Sequence, residues 1–142
     1  MIVNGLKLPA YLINLVESGH WPPQGSGLAD VTPIKHPEDL EFYTVDKMEL
    51  ATVGMMLVVQ TSYADLYGIA QPESPDPRRI PVDRAVFMAG EWSEEVICLD
   101  YCENLDEPKV VLGHVPVDET ESRWQVIAET FEEFAALLGF KN

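Results

Sequence analysis

Basic residues are scarce in this chain: nine Lys and Arg stand against 24 Asp and Glu among 142 residues, a formal net charge of -15. That shortage excludes a general nucleic-acid binder, because neutralising phosphates requires a basic surface. Cysteine is sparse as well. Cys98 and Cys102 are too few for a disulfide framework and suit a reducing compartment. Long apolar runs are missing: Val53 to Val59, the longest, is interrupted by Gly54 and falls far short of the roughly 18 residues of a membrane span. The beginning of the sequence carries no basic segment followed by an apolar core and a small-residue cleavage site, so cytoplasmic residence without membrane association is the expectation.

The motifs of common chemistry are missing too. There is no G-x-S-x-G nucleophile elbow, no P-loop and no G-x-G-x-x-G. His20, His36 and His114 do not combine with the two cysteines at any standard metal-ligand spacing. Carboxylate pairs do occur, at Glu38 and Asp39, Glu94 and Glu95, and Glu132 and Glu133. In a chain this acidic they are what any solvated face carries. We therefore expect no catalytic residue, no metal and no cofactor, and a protein that is not an enzyme.

What is present is a foldable composition, 46% hydrophobic and 23% charged with five Phe, five Tyr and three Trp. A chain of this length buries roughly two thirds of the surface that its unfolded form exposes, and one domain over residues 1–142 is expected. Leu8, Tyr11, Leu12, Leu15 and Val16 recur at helical spacing, with Pro9 in the first turn and Gly19, Pro22 and Pro23 as the stop. Residues 24–37 read as a turn-rich wrap, and Pro37 to Phe42 as a short acidic helix with Leu40 and Phe42 turned inward. Val53 to Ser62 is apolar and β-branched enough for a central strand, with Leu66 to Ala70 beside it. Residues 71–81, with four prolines, read as an exposed excursion.

Arg84 to Ala89, Glu95 to Asp100 and Lys109 to Val115 are strands separated by turn signals, close enough in sequence for an antiparallel meander. Trp124, Val126 and Ala128 alternate and predict an extended segment. Thr130 and Glu133 form a capping box that starts a final helix with Phe131, Phe134, Ala135 and Leu138 inward and Gly139 at its end. Cys98 reads as a buried thiol, and Asp100 as a strand-end acid that receives N–H groups of the following turn. The class is α+β: a mainly antiparallel central sheet flanked by N-terminal and C-terminal helices.

The strand ICLD at Ile97 to Asp100, PKVV at Pro108 to Val111, Trp124 with IAETFEEF at Ile127 to Phe134, and LPAYLINLVESG at Leu8 to Gly19 together resemble the SUKH superfamily. That group is typified by a yeast regulator of cell-wall assembly and by bacterial toxin-immunity proteins. The likeness covers about a third of the chain, mainly at fold-maintaining positions. It implies a SUKH-like protein-binding scaffold without catalysis, and many bacterial members are thought to neutralise nuclease-type toxins. An acidic chain suits a basic protein partner of that kind. The alternative is a regulatory or scaffolding module that binds a host protein. The expected binding surface is the strand-loop region: Glu91, Trp92, Glu94, Glu95, Asp100, Tyr101, Glu103 and Asp106, with acids steering the partner and aromatics anchoring it.

Overall fold

The computed structural model describes residues 1–23, 40–58, 69–70, 79–90, 95–114 and 124–140. In chain order the elements are β1 (Ile2–Val3), β2 (Leu6–Lys7), α1 (Ala10–Glu17), β3 (Glu41–Phe42), α2 (Val45–Val58), β4 (Ile69–Ala70) and β5 (Ile80–Pro81). A 3-10 turn at Val82–Arg84 then leads into β6 (Ala85–Gly90), β7 (Glu95–Asp100), β8 (Lys109–His114), β9 (Trp124–Ala128) and α3 (Phe131–Leu137). The main sheet has the order β3-β6-β7-β8-β9, and every neighbouring pair is antiparallel. It is the expected meander in an α+β frame with helices at both ends of the chain.

The central strands β6, β7 and β8 are buried on both faces, which explains why they read as nearly continuous apolar runs. Val86, Met88, Ile97, Leu99, Val110 and Leu112 face one core, shared with Leu12 and Leu15 of α1 and with Phe131, Phe134 and Ala135 of α3. Trp21 ties this core together, its ring edge-on to Phe42 (5.5 Å) and to Phe131 (5.8 Å) and its Nε1 donating to Tyr43 O at 2.9 Å. The alternate residues Ala85, Phe87, Cys98 and Val111 face a smaller core, closed by Ile69, Ile80 and the α2 side chains of Ala51 and Met55. Gly113 has to be glycine, because a Cβ there would stand 2.7 Å from the ring of Trp124 on the neighbouring strand.

The terminal helices follow their sequence signals. Thr130 is extended (φ -138) and its Oγ1 accepts from Glu133 N at 3.2 Å, while Glu133 Oε2 accepts from Glu129 N at 3.0 Å. The capping box therefore forms, with its return arm landing one residue before the cap. Gly139 at φ +93 closes α3, and Gly19 at φ +80 follows α1, where His20 N and Trp21 N both donate to Leu15 O. Pro9 sits at the N-cap, one residue ahead of the first turn that the spacing predicts.

Other expectations are corrected. Val53 to Val58 belongs to α2 rather than to a central strand. Thr44 starts this helix, its Oγ1 accepting from Lys47 N at 3.3 Å. Met48, Ala51, Thr52 and Met55 form its inner stripe at helical spacing, but Thr52 is polar and the outward Leu50 and Val53 are apolar. Hydrophobicity therefore does not separate the two faces, and the run reads like a strand. Leu40 and Phe42 are buried as expected, but Glu41–Phe42 is a strand paired to Ala89 and Gly90 rather than part of an acidic helix. Ile69–Ala70 pairs in parallel with Ile80–Pro81, away from the main sheet. The expectations for residues 24–39, 59–68, 71–78 and 115 lie outside the described residues.

β3 covers only the last two residues of β6. Earlier on β6, Phe87 N donates to Thr52 Oγ1 at 3.2 Å, and Asn4 Nδ2 donates to Ala85 O (3.1 Å) and to Val82 O (2.8 Å) in the 3-10 turn before it. Side chains of α2 and of the β1-β2 hairpin thus take the place of a strand partner along this edge. The hairpin turns at Asn4 (φ 56) and Gly5 (φ 72), two positive values that match the Asn-Gly turn preference.

Candidate functional site

The loop from Tyr101 to Pro108 joins β7 to β8 and is held by its own polar side chains. Asp100 Oδ1 accepts from Cys102 N at 2.9 Å, the strand-end role expected of it. Asn104 Oδ1 accepts from both Asp106 N (2.8 Å) and Glu107 N (3.0 Å). Across the strand end, Lys109 Nζ meets Glu103 at 2.7 Å and Glu129 at 3.8 Å. The hydrogen bond that Lys109 donates to Glu103 holds its ammonium above the ordinary value. Because the pair is solvated, it orients the loop more than it stabilises the fold.

This geometry presents Glu103, Asp106 and Glu107 to solvent, with Leu105 at the tip 52% exposed. Next to the loop lies a shallow cleft of about 100 Å³. Its walls are the first turn of α1 at Pro9 to Tyr11, the loop at Asp106 to Pro108, and the start of α3 at Thr130 to Glu132. Glu132 and Glu133 occupy the first turn of α3, where the helix dipole favours negative charge. Acids of the loop and of the start of α3 thus flank a cleft that is also lined by Pro9, Ala10, Tyr11, Pro108 and Phe131, with Leu105 exposed at the loop tip.

Of the residues chosen from sequence, Glu91, Trp92 and Glu94 lie outside the described residues. Glu103 and Asp106 are brought together on the exposed loop, and Asp100 stands half-buried at its base. Two assignments need correction. Glu95 is fully buried, opposite His114 in the register of a strand covered on both faces, so its charge is not offered to a partner. Tyr101 is 1% exposed. It continues the inward alternation of Ile97 and Leu99, its OH donates to Lys7 O at 2.9 Å, and its N–H donates to Arg84 O at 2.9 Å. Burial pushes its phenol well above the ordinary value. It locks the loop base to the N-terminal hairpin instead of anchoring a partner.

Sequence reasoning missed Leu105, Glu129 and Glu132. An apolar residue inside the polar turn ENLDE was the available signal for Leu105, whereas the approach of α3 to the loop is a tertiary fact that no local pattern announces.

Neither thiol is shifted towards its thiolate. Burial pushes Cys98 up strongly, and burial followed by the hydrogen bond and charge of Asp100 pushes Cys102 up to about 12. Ser18 Oγ and His20 Nδ1 lie 2.7 Å apart, but at the exposed end of α1, where Ser18 also donates to Leu15 O. Among the described residues no three His, Cys, Asp or Glu side chains are grouped to hold a metal ion, and no helix is long and apolar enough to cross a membrane.

Compared with known proteins, the chain matches no family model, no curated protein and no solved structure.

Proposed function

We propose that this chain is a non-enzymatic protein-binding domain of the SUKH type, an immunity protein that covers the active site or substrate groove of a basic, nuclease-type bacterial toxin. The observation that carries the reading is the acidic surface built on the loop after β7. Glu103, Asp106 and Glu107 surround the exposed Leu105, with Glu129 and Glu132 alongside, in a chain of net charge -15. Acids placed in this way draw a cationic partner by long-range attraction, which raises association rates by roughly 10 to 1,000-fold at low salt. Leu105 then supplies the desolvated contact that charge alone does not give. Because Asn104 and Asp100 already fix the loop backbone, little ordering cost opposes docking.

The layout of a central antiparallel sheet between N- and C-terminal helices supports the SUKH reading, as does the Thr130 cap at the start of α3. The test is capture of a partner from the source organism's lysate, followed by expression of that partner with and without this chain. A basic partner that is toxic alone and tolerated with the wild-type chain, but not with Leu105→Arg, supports the proposal. A non-toxic host protein would point to the scaffolding module instead, and protection that survives Leu105→Arg would move the site elsewhere.

A further inference from the structure

Asn4 fastens the turn of the N-terminal hairpin to the body of the fold, as Tyr101 fastens its end through Lys7 O. Asn4 Nδ2 spends both of its donors on Val82 O (2.8 Å) and Ala85 O (3.1 Å), and the backbone N–H of Asn4 donates to Glu49 Oε2 on α2 at 2.9 Å. The residue lies at φ 56 and is followed by Gly5 at φ 72. A glycine after asparagine leaves the next peptide nitrogen unshielded, which is the sequence context most open to spontaneous deamidation. We propose that Asn4 is a deamidation site gated by the fold, and that its conversion releases the hairpin from the sheet.

The reaction needs only water. Gly5 N attacks Asn4 Cγ, the new N–C bond closes a succinimide ring, and the Cγ–Nδ2 bond breaks. Nδ2 leaves as ammonia, taking up the proton lost from Gly5 N. Water then opens the ring at either carbonyl, giving aspartate or isoaspartate at position 4. In the docked hairpin the amide is held towards Val82 and Ala85, so both hydrogen bonds have to break before the ring closes. The folded state thus protects the site, and local opening of the hairpin exposes it.

The product does not fit the place that the amide leaves. A carboxylate has no donor for either carbonyl, and it brings negative charge beside Glu49. Isoaspartate also lengthens the backbone of a two-residue turn and breaks the register Ile2 to Lys7 and Val3 to Leu6. Val3 and Leu6, both buried in the larger core, then lose their seat. Each opening of the hairpin is thereby a chance for an irreversible mark that holds it open.

The full chain incubated in mildly alkaline buffer, folded or in urea, tests the gate, with peptide mapping by mass spectrometry reading isoaspartate and ammonia loss at Asn4. Conversion roughly tenfold or more slower in the folded chain is expected, and equal rates would overturn the proposal. Hydrogen exchange of Asn4→Asp and Asn4→Gly tests the release. Asn4→Gly accepts the positive φ and does not deamidate, so it stands in if Asn4→Asp fails to fold. Loss of amide protection in Ile2–Lys7 with β7 and β8 unchanged is expected, and wild-type protection of the hairpin in Asn4→Gly would refute it.

Discussion

Tyr101→Phe removes a single oxygen from a ring that is 1% exposed, and the structure fixes what that oxygen does. The hydroxyl donates to Lys7 O at 2.9 Å, joining the end of β7 to the end of the N-terminal hairpin 94 residues away. The net worth of such a bond is about 1 kcal/mol, rising towards about 2 to 3 kcal/mol if the abandoned carbonyl stays dry. The bond is only part-buried and Lys7 is exposed, so the lower half of that range applies. For a chain of 142 residues a loss of about 1 kcal/mol lowers the melting temperature by about 3 °C. Differential scanning calorimetry reads the shift, and titration with the captured partner reads affinity in parallel. The expected result is a lower melting temperature with unchanged affinity. An unchanged melting temperature together with a tenfold loss of affinity would place Tyr101 in the binding surface and refute the argument.

Thr52→Val leaves Phe87 N–H without its acceptor in a fully buried place, and a loss of about 1 to 3 kcal/mol is expected. Thr52→Ser should retain most of that bond, so equal melting temperatures for the two variants would show that α2 does not shield the β6 edge. Alkaline pH should destabilise the fold. Cys98 and Tyr101, both buried, are pushed above their ordinary values, mainly by burial, so above about pH 9 the unfolded chain releases protons that the folded chain keeps. Stability is therefore fully present below the thiol's ordinary 9.0 and declines as pH rises above it, by at most about 1.4 kcal/mol per pH unit for each of these two groups. Urea midpoints measured across that window, with Cys98→Ala falling less steeply than the wild type, check the sign; a level profile contradicts it.

The last third of the chain was legible because its signals are local. Thr130 and Glu133 lie three residues apart, Trp124 to Ala128 alternate, and Gly139 ends the helix at positive φ, so neighbours in sequence decide the structure. α2 was not legible as a helix because its faces differ in burial without differing in polarity: Thr52 is buried while Leu50 and Val53 are exposed. Thr44 followed by Asp46 in the first turn is the local start signal of this helix. Asn4-Gly5 is an equally plain turn signal, but its flanking strands have only two residues each, too few for alternation to show. Charge and turn chemistry mark the loop from Asp100 to Asp106 as polar, and Glu103 and Asp106 are exposed there. The burial of Tyr101 follows from extending the inward alternation of β7 by one more step, and that of Glu95 from the covering of both sheet faces.

The most direct test of the acidic surface is the association rate of the purified partner with the wild-type chain and with the triple variant Glu103→Lys, Asp106→Lys, Glu107→Lys, followed by stopped flow from low to high salt. All three side chains are exposed, so the variant should fold as the wild type does. The account predicts a rate at least about tenfold lower at low salt and a flatter salt dependence. An unchanged rate and salt slope would contradict it.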